Sequence, residues 1–138
     1  MHWKDRISAI FSENNWRTTP ALWRIVKFLE ANKKFHSSYD IANHLKEETA
    51  VDPSTIYRLL ERLEKIKFVH NSMGKWIWCR HFGAAGQHHF LICSSCGNTE
   101  EILLHYQDAM TAQLKKNYNF QLQEAELILH GICRHCES

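Results

Sequence analysis

Four of the chain's five cysteines fall into two pairs, Cys93-Ser-Ser-Cys96 and Cys133-Arg-His-Cys136, separated by 36 residues. Two residues between thiols let one tight turn offer both sulfurs to the same ion. Two such knuckles together supply the four soft ligands of a closed tetrahedral zinc site. In a reducing compartment, paired cysteines point to metal rather than to a disulfide. A redox dithiol would need a single pair at a helix start. Here each pair instead abuts an apolar, strand-like run, HFLIC at 89–93 and ELILHGIC at 126–133. The spacing therefore predicts one structural zinc per chain, on Cys93, Cys96, Cys133 and Cys136. A four-thiolate site leaves no position for a nucleophilic water, and the H-x-E with P-C-x-x-C pattern of zinc deaminases is absent. A zinc hydrolase is the reading this excludes, so no catalytic residue and no small-molecule substrate are expected.

These knuckles need elements to carry them. With 44% hydrophobic and 23% charged residues, the composition is that of a globular protein. No apolar run approaches the roughly 20 residues that cross a bilayer. The start, MHWKDRISAI, carries charge where a secretory signal is apolar. A cytoplasmic protein without membrane contact is the expectation.

Helical periodicity covers 3–14 and 20–32, the latter with Leu22, Ile25, Val26 and Leu29 in register and Pro20 in the first turn. A short helix over 37–46 is capped by Ser37 or Ser38. A fourth follows Asp52-Pro53-Ser54 to about residue 66, with Ile56, Leu59, Leu60 and Leu63 as its apolar stripe. Two short strands then flank a turn at Asn71–Lys75, where Gly74 supplies the special backbone angles. Helices followed by a hairpin describe a winged helix-turn-helix over 1–82. The chargeless stretch Gly83-Ala84-Ala85-Gly86 marks a linker over 83–87. Residues 88–138 read as strands at 88–92 and 99–103, a helix over 104–117 and a strand at 126–131. The fold class is thus α+β, a winged-helix domain followed by a small α/β domain. So few elements bury little apolar surface, which calls for a zinc staple and for dimerisation.

Charge divides with the domains. Residues 1–80 hold 14 Lys and Arg against 9 Asp and Glu, whereas 81–138 hold 3 against 6. A basic half beside an acidic half suggests that the first meets a polyanion. The fourth helix carries Ser54, Thr55, Tyr57, Arg58 and Arg62 away from its leucines. Residues at the start of such a helix reach base edges and phosphates in the major groove of double-stranded DNA. Arg58 can fork onto guanine, and Tyr57 can bond a phosphate or touch a thymine methyl. Arg17, Lys33, Lys34 and Tyr39 are the accompanying backbone or groove contacts.

The motifs R-x-T-P at 17–20, S-S-Y-D at 37–40, S-T-I-Y-R at 54–58, F-V-H at 68–70, H-H-F-L-I-C-S-S-C-G at 88–97 and H-G-I-C-R-H-C at 130–136 occur in order. Together they resemble the ferric uptake regulator family over nearly the whole chain. The resemblance implies a homodimer that binds a pseudopalindromic operator when a regulatory metal is bound. It also implies an N-terminal winged helix and a C-terminal dimerisation domain.

Within that family, iron-sensing members carry an H-H-x-H run before the first knuckle; here Gln87-His88-His89-Phe90 lacks its last histidine. The chain is more similar to the zinc uptake regulator branch, which places a cysteine at the wing end and can carry a histidine after F-V. Cys79 and His70 hold those positions, and Tyr39 in S-x-Y-D matches too. A thiolate favours Zn(II) over Fe(II) or Mn(II). The resemblance therefore implies a regulatory zinc, one per chain, on His70, Cys79, His88 and Glu101. Strand alternation turns only one of His88 and His89 to the hinge. Family ligands lie an odd number of residues before the first knuckle, which selects His88. His81, His89 and His105 are the reserves. A further metal site of some relatives is depleted, with Ala125 and Gln87 where histidines are expected and only Asp108 and His89 left. An iron- or peroxide-responsive regulator is the alternative. One departure touches DNA binding: relatives continue R-x-T-x-x-R, whereas position 22 is Leu, with Arg24 two residues on.

Overall fold

A computed structural model describes residues 2–48, 50–84, 88–103, 107–123 and 125–137. Gln87, His105 and the Asp108 side chain, each invoked above, lie outside the described residues. The chain divides into two compact units, Met1–Cys79 and Arg80–Ser138.

The first unit is built from α1 (Trp3–Glu13), α2 (Pro20–Ala31), α3 (Ser38–Leu45), α4 (Pro53–Lys65) and the hairpin β1 (Val69–Ser72) with β2 (Lys75–Trp78). Local chemistry sets each boundary. Thr19 accepts from the Leu22 N–H at 3.2 Å and Pro20 opens α2. Ser37, not Ser38, caps α3: its Oγ accepts from Asp40 N–H at 3.1 Å while Asp40 accepts from Ser37 N–H at 3.0 Å. That backbone donor also lowers the Asp40 pKa. Ser72 pairs with Lys75, so the turn has two residues, Met73 at φ 51° and Gly74 at φ 81°. Both lie in the left-handed region, the geometry of a type I′ turn that matches strand twist. The turn is one residue shorter at each end than the sequence suggests, because Met73 adopts positive φ despite its side chain.

The core of this unit joins Ile7 and Phe11 of α1, Leu22, Ile25, Val26 and Leu29 of α2, Ile41 of α3, and the α4 stripe Ile56, Leu60 and Leu63, all fully enclosed. Leu22 is therefore a packing residue, and Arg24 beside it sits 3.8 Å from Glu48.

The second unit contains β3 (His88–Cys93), β4 (Thr99–Leu103), α5 (Gln107–Tyr118) and β5 (Ile128–Gly131), with sheet order β4-β3-β5. β3 pairs antiparallel with β4 but parallel with β5, Phe90 opposite Ile128 and Cys93 opposite Gly131. A parallel neighbour requires a crossover, and α5 lies on that connection. Among the described residues of this unit, Phe90 and Cys93 are the buried hydrophobic side chains; Leu91, Leu103, Tyr118, Phe120, Leu129 and Ile132 are exposed.

Because Leu22 is enclosed rather than facing a phosphate, Leu22→Ala is expected to cost about 3 kcal/mol of stability through the cavity it leaves. Thermal unfolding measures this, and a loss below about 1 kcal/mol would contradict the packing role.

Candidate metal centres

The parallel ladder between β3 and β5 determines where the knuckles meet. Cys93 ends β3 opposite Gly131, and Ser94 N–H donates to the Gly131 carbonyl at 2.7 Å. Two residues later the chain reaches Cys133. Each knuckle is closed by its own backbone: Gly97 N–H donates to Cys93 O at 2.8 Å, and Cys136 N–H to Cys133 O at 3.0 Å. Gly97, at φ 77°, takes the left-handed conformation that turns the first knuckle back into β4.

As a result the sulfurs of Cys93, Cys96, Cys133 and Cys136 all lie within 4.8 Å of one another. Cys96 and Cys133 sulfurs are 3.7 Å apart. Tetrahedral zinc with sulfur at about 2.3 Å places its ligands about 3.8 Å from each other, so the set fits that ion. Its electrostatics agree. Backbone N–H groups of Cys96 (3.5 Å) and Cys133 (3.3 Å) point at Cys93 Sγ and lower that thiol's pKa to about 6. Cys136, hydrogen-bonded beside Cys133, is pushed up to about 12. Four converging sulfurs resist becoming four thiolates unless a cation joins them.

The remaining predicted ligands form two pairs, one in each unit, and strand geometry explains both. In the hairpin His70 opposes Ile77, and alternation puts Cys79 on the face of Ile77, so His70 and Cys79 are diagonal neighbours. Cys79 N–H donates to Phe68 O at 2.9 Å, extending the ladder, and the two ligand atoms lie within 4.8 Å of each other. Cys79 is buried and His70 half-buried.

In the second unit Phe90 opposes Glu101, which makes His88 and Glu101 the same kind of diagonal pair. His88 Nδ1 donates to Glu101 Oε2 at 2.8 Å. Glu101 is 3% exposed, a burial that a carboxylate tolerates only with partners. Arg80 N–H supplies one at Oε1, 3.1 Å away.

The reserve histidines have other work. His89 lies on the opposite face of β3, fully buried, and its Nδ1 accepts from Leu127 N–H at 2.9 Å. Burial first, and then the neighbouring His88, hold its pKa below 6.5. His81 donates from Nε2 to the Glu101 carbonyl at 2.9 Å. Ala125 is half-buried and offers no ligand.

Residues proposed for DNA contact sit on the first unit's helical surface. Tyr39 in α3 is 70% exposed, and Ser54, Tyr57 and Arg58 in α4 are exposed, with Thr55 half-buried. Arg17 is exposed ahead of α2. Ser54 Oγ donates to Asp52 Oδ2 at 2.6 Å. Lys34 is exposed, whereas Lys33 lies 3.8 Å from Glu30. Two positioning groups were not legible as such. The Arg62 guanidinium lies 5.2 Å from the Trp16 ring centre, a cation–π contact that keeps the arginine extended over α4's end. Arg80, an isolated arginine in sequence, reaches Thr99 O at 2.7 Å as well as Glu101. Its position directly after Cys79 was the available signal.

The sequence profile of the ferric uptake regulator family matches residues 13–137. The ferric uptake regulation protein of Bacillus subtilis (strain 168) is 30% identical over 138 residues, covering 96% of this chain and 93% of that protein. The zinc uptake regulation protein of Escherichia coli (strain K12) is 27% identical over 131 residues, covering 92% and 77%. Among solved structures, a zinc uptake regulator complexed with zinc and DNA superposes with a TM-score of 0.76 at 26% identity, covering 96% of this chain and 91% of that one. Matched along almost its full length, the chain belongs to the ferric uptake regulator family.

Proposed function

We propose that the chain is a zinc-dependent transcriptional repressor. In this reading it is a homodimer that binds double-stranded operator DNA when a regulatory zinc is bound, and it controls genes of zinc uptake and homeostasis. The observation that carries the metal assignment is the thiol of Cys79, buried beside a His70 ring nitrogen within 4.8 Å. A thiolate with imidazole ligands favours Zn(II) over Fe(II) or Mn(II). Likeness to the zinc uptake regulator complexed with zinc and DNA supports the same reading.

In this reading one zinc per chain is structural, on Cys93, Cys96, Cys133 and Cys136. A second is regulatory, on His70, Cys79, His88 and Glu101, two ligands from each unit. Zinc, when bound, supplies a dication that takes the place of the ligands' protons. The chain's own residues prepare for it. Arg80 orients the Glu101 carboxylate, and the hydrogen bond to Glu101 fixes the His88 ring, the second-shell role that tunes metal sites. Joining the two units through shared ligands would set the spacing of the two α4 helices across the dimer. DNA affinity then rises by the differential affinity of zinc for that arrangement. Dimerisation is supported by the exposed Leu129 on edge strand β5, Ile132 just beyond it, and Tyr118 and Phe120 at the end of α5.

An iron-responsive regulator is the second reading, favoured by the 30% identity to the Bacillus subtilis ferric uptake regulation protein. Cys79 separates the two. Metal analysis is expected to give about two zinc ions per chain, falling to about one in Cys79→Ser. An equal content in both proteins would remove the regulatory site. Any one of Cys93, Cys96, Cys133 or Cys136 changed to Ser should instead cost the structural ion and lower the melting temperature.

Operator affinity should rise with added zinc and fall linearly on a log scale with salt, and indifference to zinc would sink the repressor reading. Protons compete with zinc for imidazole and thiolate, so acidification works against binding. Zinc-dependent affinity is expected to decline between pH 7 and about 5, followed by fluorescence anisotropy at fixed ionic strength.

A further inference from the structure

Strand β2 presents three buried side chains in succession, Trp76, Ile77 and Trp78. Ile77 lies on the face of His70 and Cys79; the two tryptophans lie on the other. Trp78 does ordinary packing work. It meets Trp3 of α1 edge-on, with ring centres 5.6 Å apart, and Phe68 at 5.8 Å.

Trp76 has a different neighbour. Its ring meets that of Tyr57 in α4 at 5.0 Å between centres, with the planes at 90°. Edge-to-face packing at this separation is favourable and orientation-specific. Tyr57 is 44% exposed, so this contact restrains a side chain that otherwise projects from the helix. The backbone of Trp76 is anchored on both sides. Asn71 pairs with it across the hairpin, and His36 pairs on the other edge through two hydrogen bonds of 2.8 Å. His36 directly precedes the Ser37 cap of α3, so one residue ties the wing to both helices of the helix-turn-helix.

Trp76 is also a poor choice for packing alone. Its buried Nε1 has no hydrogen-bond partner among the described residues, a desolvation cost that phenylalanine would not incur.

We propose that Trp76 is a positioning residue for DNA recognition, an aromatic platform that holds the Tyr57 ring so that its free edge and hydroxyl are set for the duplex. The proposal rests on the DNA-binding reading above. Its physical basis is preorganisation: a tyrosine already held in one rotamer loses less freedom on binding.

The test is a double-mutant cycle on the zinc-loaded, full-length protein. The probe is the duplex that unmodified protein selects from a random-sequence pool, at one salt concentration. Trp76→Leu is expected to weaken binding about tenfold, the value of one ordered side chain. In a Tyr57→Ala background the same change should have no further effect, while zinc content stays that of the unmodified protein. Trp76→Phe, which keeps an edge-on ring, should restore affinity to within about threefold. Equal weakening in both backgrounds would assign Trp76 a merely structural role, and no weakening in either would dismiss it.

Should Trp76→Leu fail to fold, nuclear Overhauser contacts between the Trp76 and Tyr57 rings decide the matter in the unmodified protein. They are expected both without and with the duplex, and their disappearance on binding overturns the proposal. Failure of unmodified protein to select any duplex would overturn the DNA-binding reading itself, and this inference with it.

Discussion

Four cysteine sulfurs gathered within 4.8 Å form an arrangement that the sulfurs themselves oppose. Each one that loses its proton makes the next harder to ionise, which is why Cys93 and Cys136 are driven in opposite directions by the same cluster. What enforces the gathering is the parallel pairing of β3 with β5, whose register sets Cys93 against Gly131. The second unit has little else to hold it. Phe90 is the one large apolar side chain fully buried among its described residues, and much of its remaining apolar surface faces outward. A small sheet with so thin a core depends on what closes its end and on what covers its face.

The first unit rests on a different constraint, a continuous apolar core beneath four helices. Its margin is spent at the wing. β2 is buried on both faces, and alternation divides those faces between two tasks. One carries Ile77 and, beyond the strand, Cys79 opposite His70. The other carries the tryptophans, one against α1 and one against the exposed Tyr57 of α4. Ligand pair and helix platform thus share one short strand.

Much of this architecture was legible because it is local. Thr19-Pro20, Ser37 with Asp40, and Asp52-Pro53 announce helix starts, and the α4 leucines repeat with the helical period. The boundaries of α1 to α4 fall within one or two residues of those read from periodicity. The ordering of β3 and β4 about the first knuckle was legible for the same reason. Less visible was the role of Leu22. A position that the resemblance marks for a phosphate contact is enclosed by the helix stripe, which only packing reveals.

By itself, the sequence determined the kinds of atom available: four thiols in two knuckles, one further thiol at the wing, and histidines and a glutamate spaced along strands. Spacing also fixed which of them share a strand face, since alternation is a property of the extended chain. Only the tertiary structure decided how those faces are used. It set β5 parallel to β3, so that two knuckles 36 residues apart converge. It engaged His89 with the Leu127 N–H while directing His88 onto a buried Glu101. It placed Trp76 edge-on to Tyr57. These are contacts between residues distant in sequence, and their energies depend on burial and orientation, which spacing along a chain does not encode.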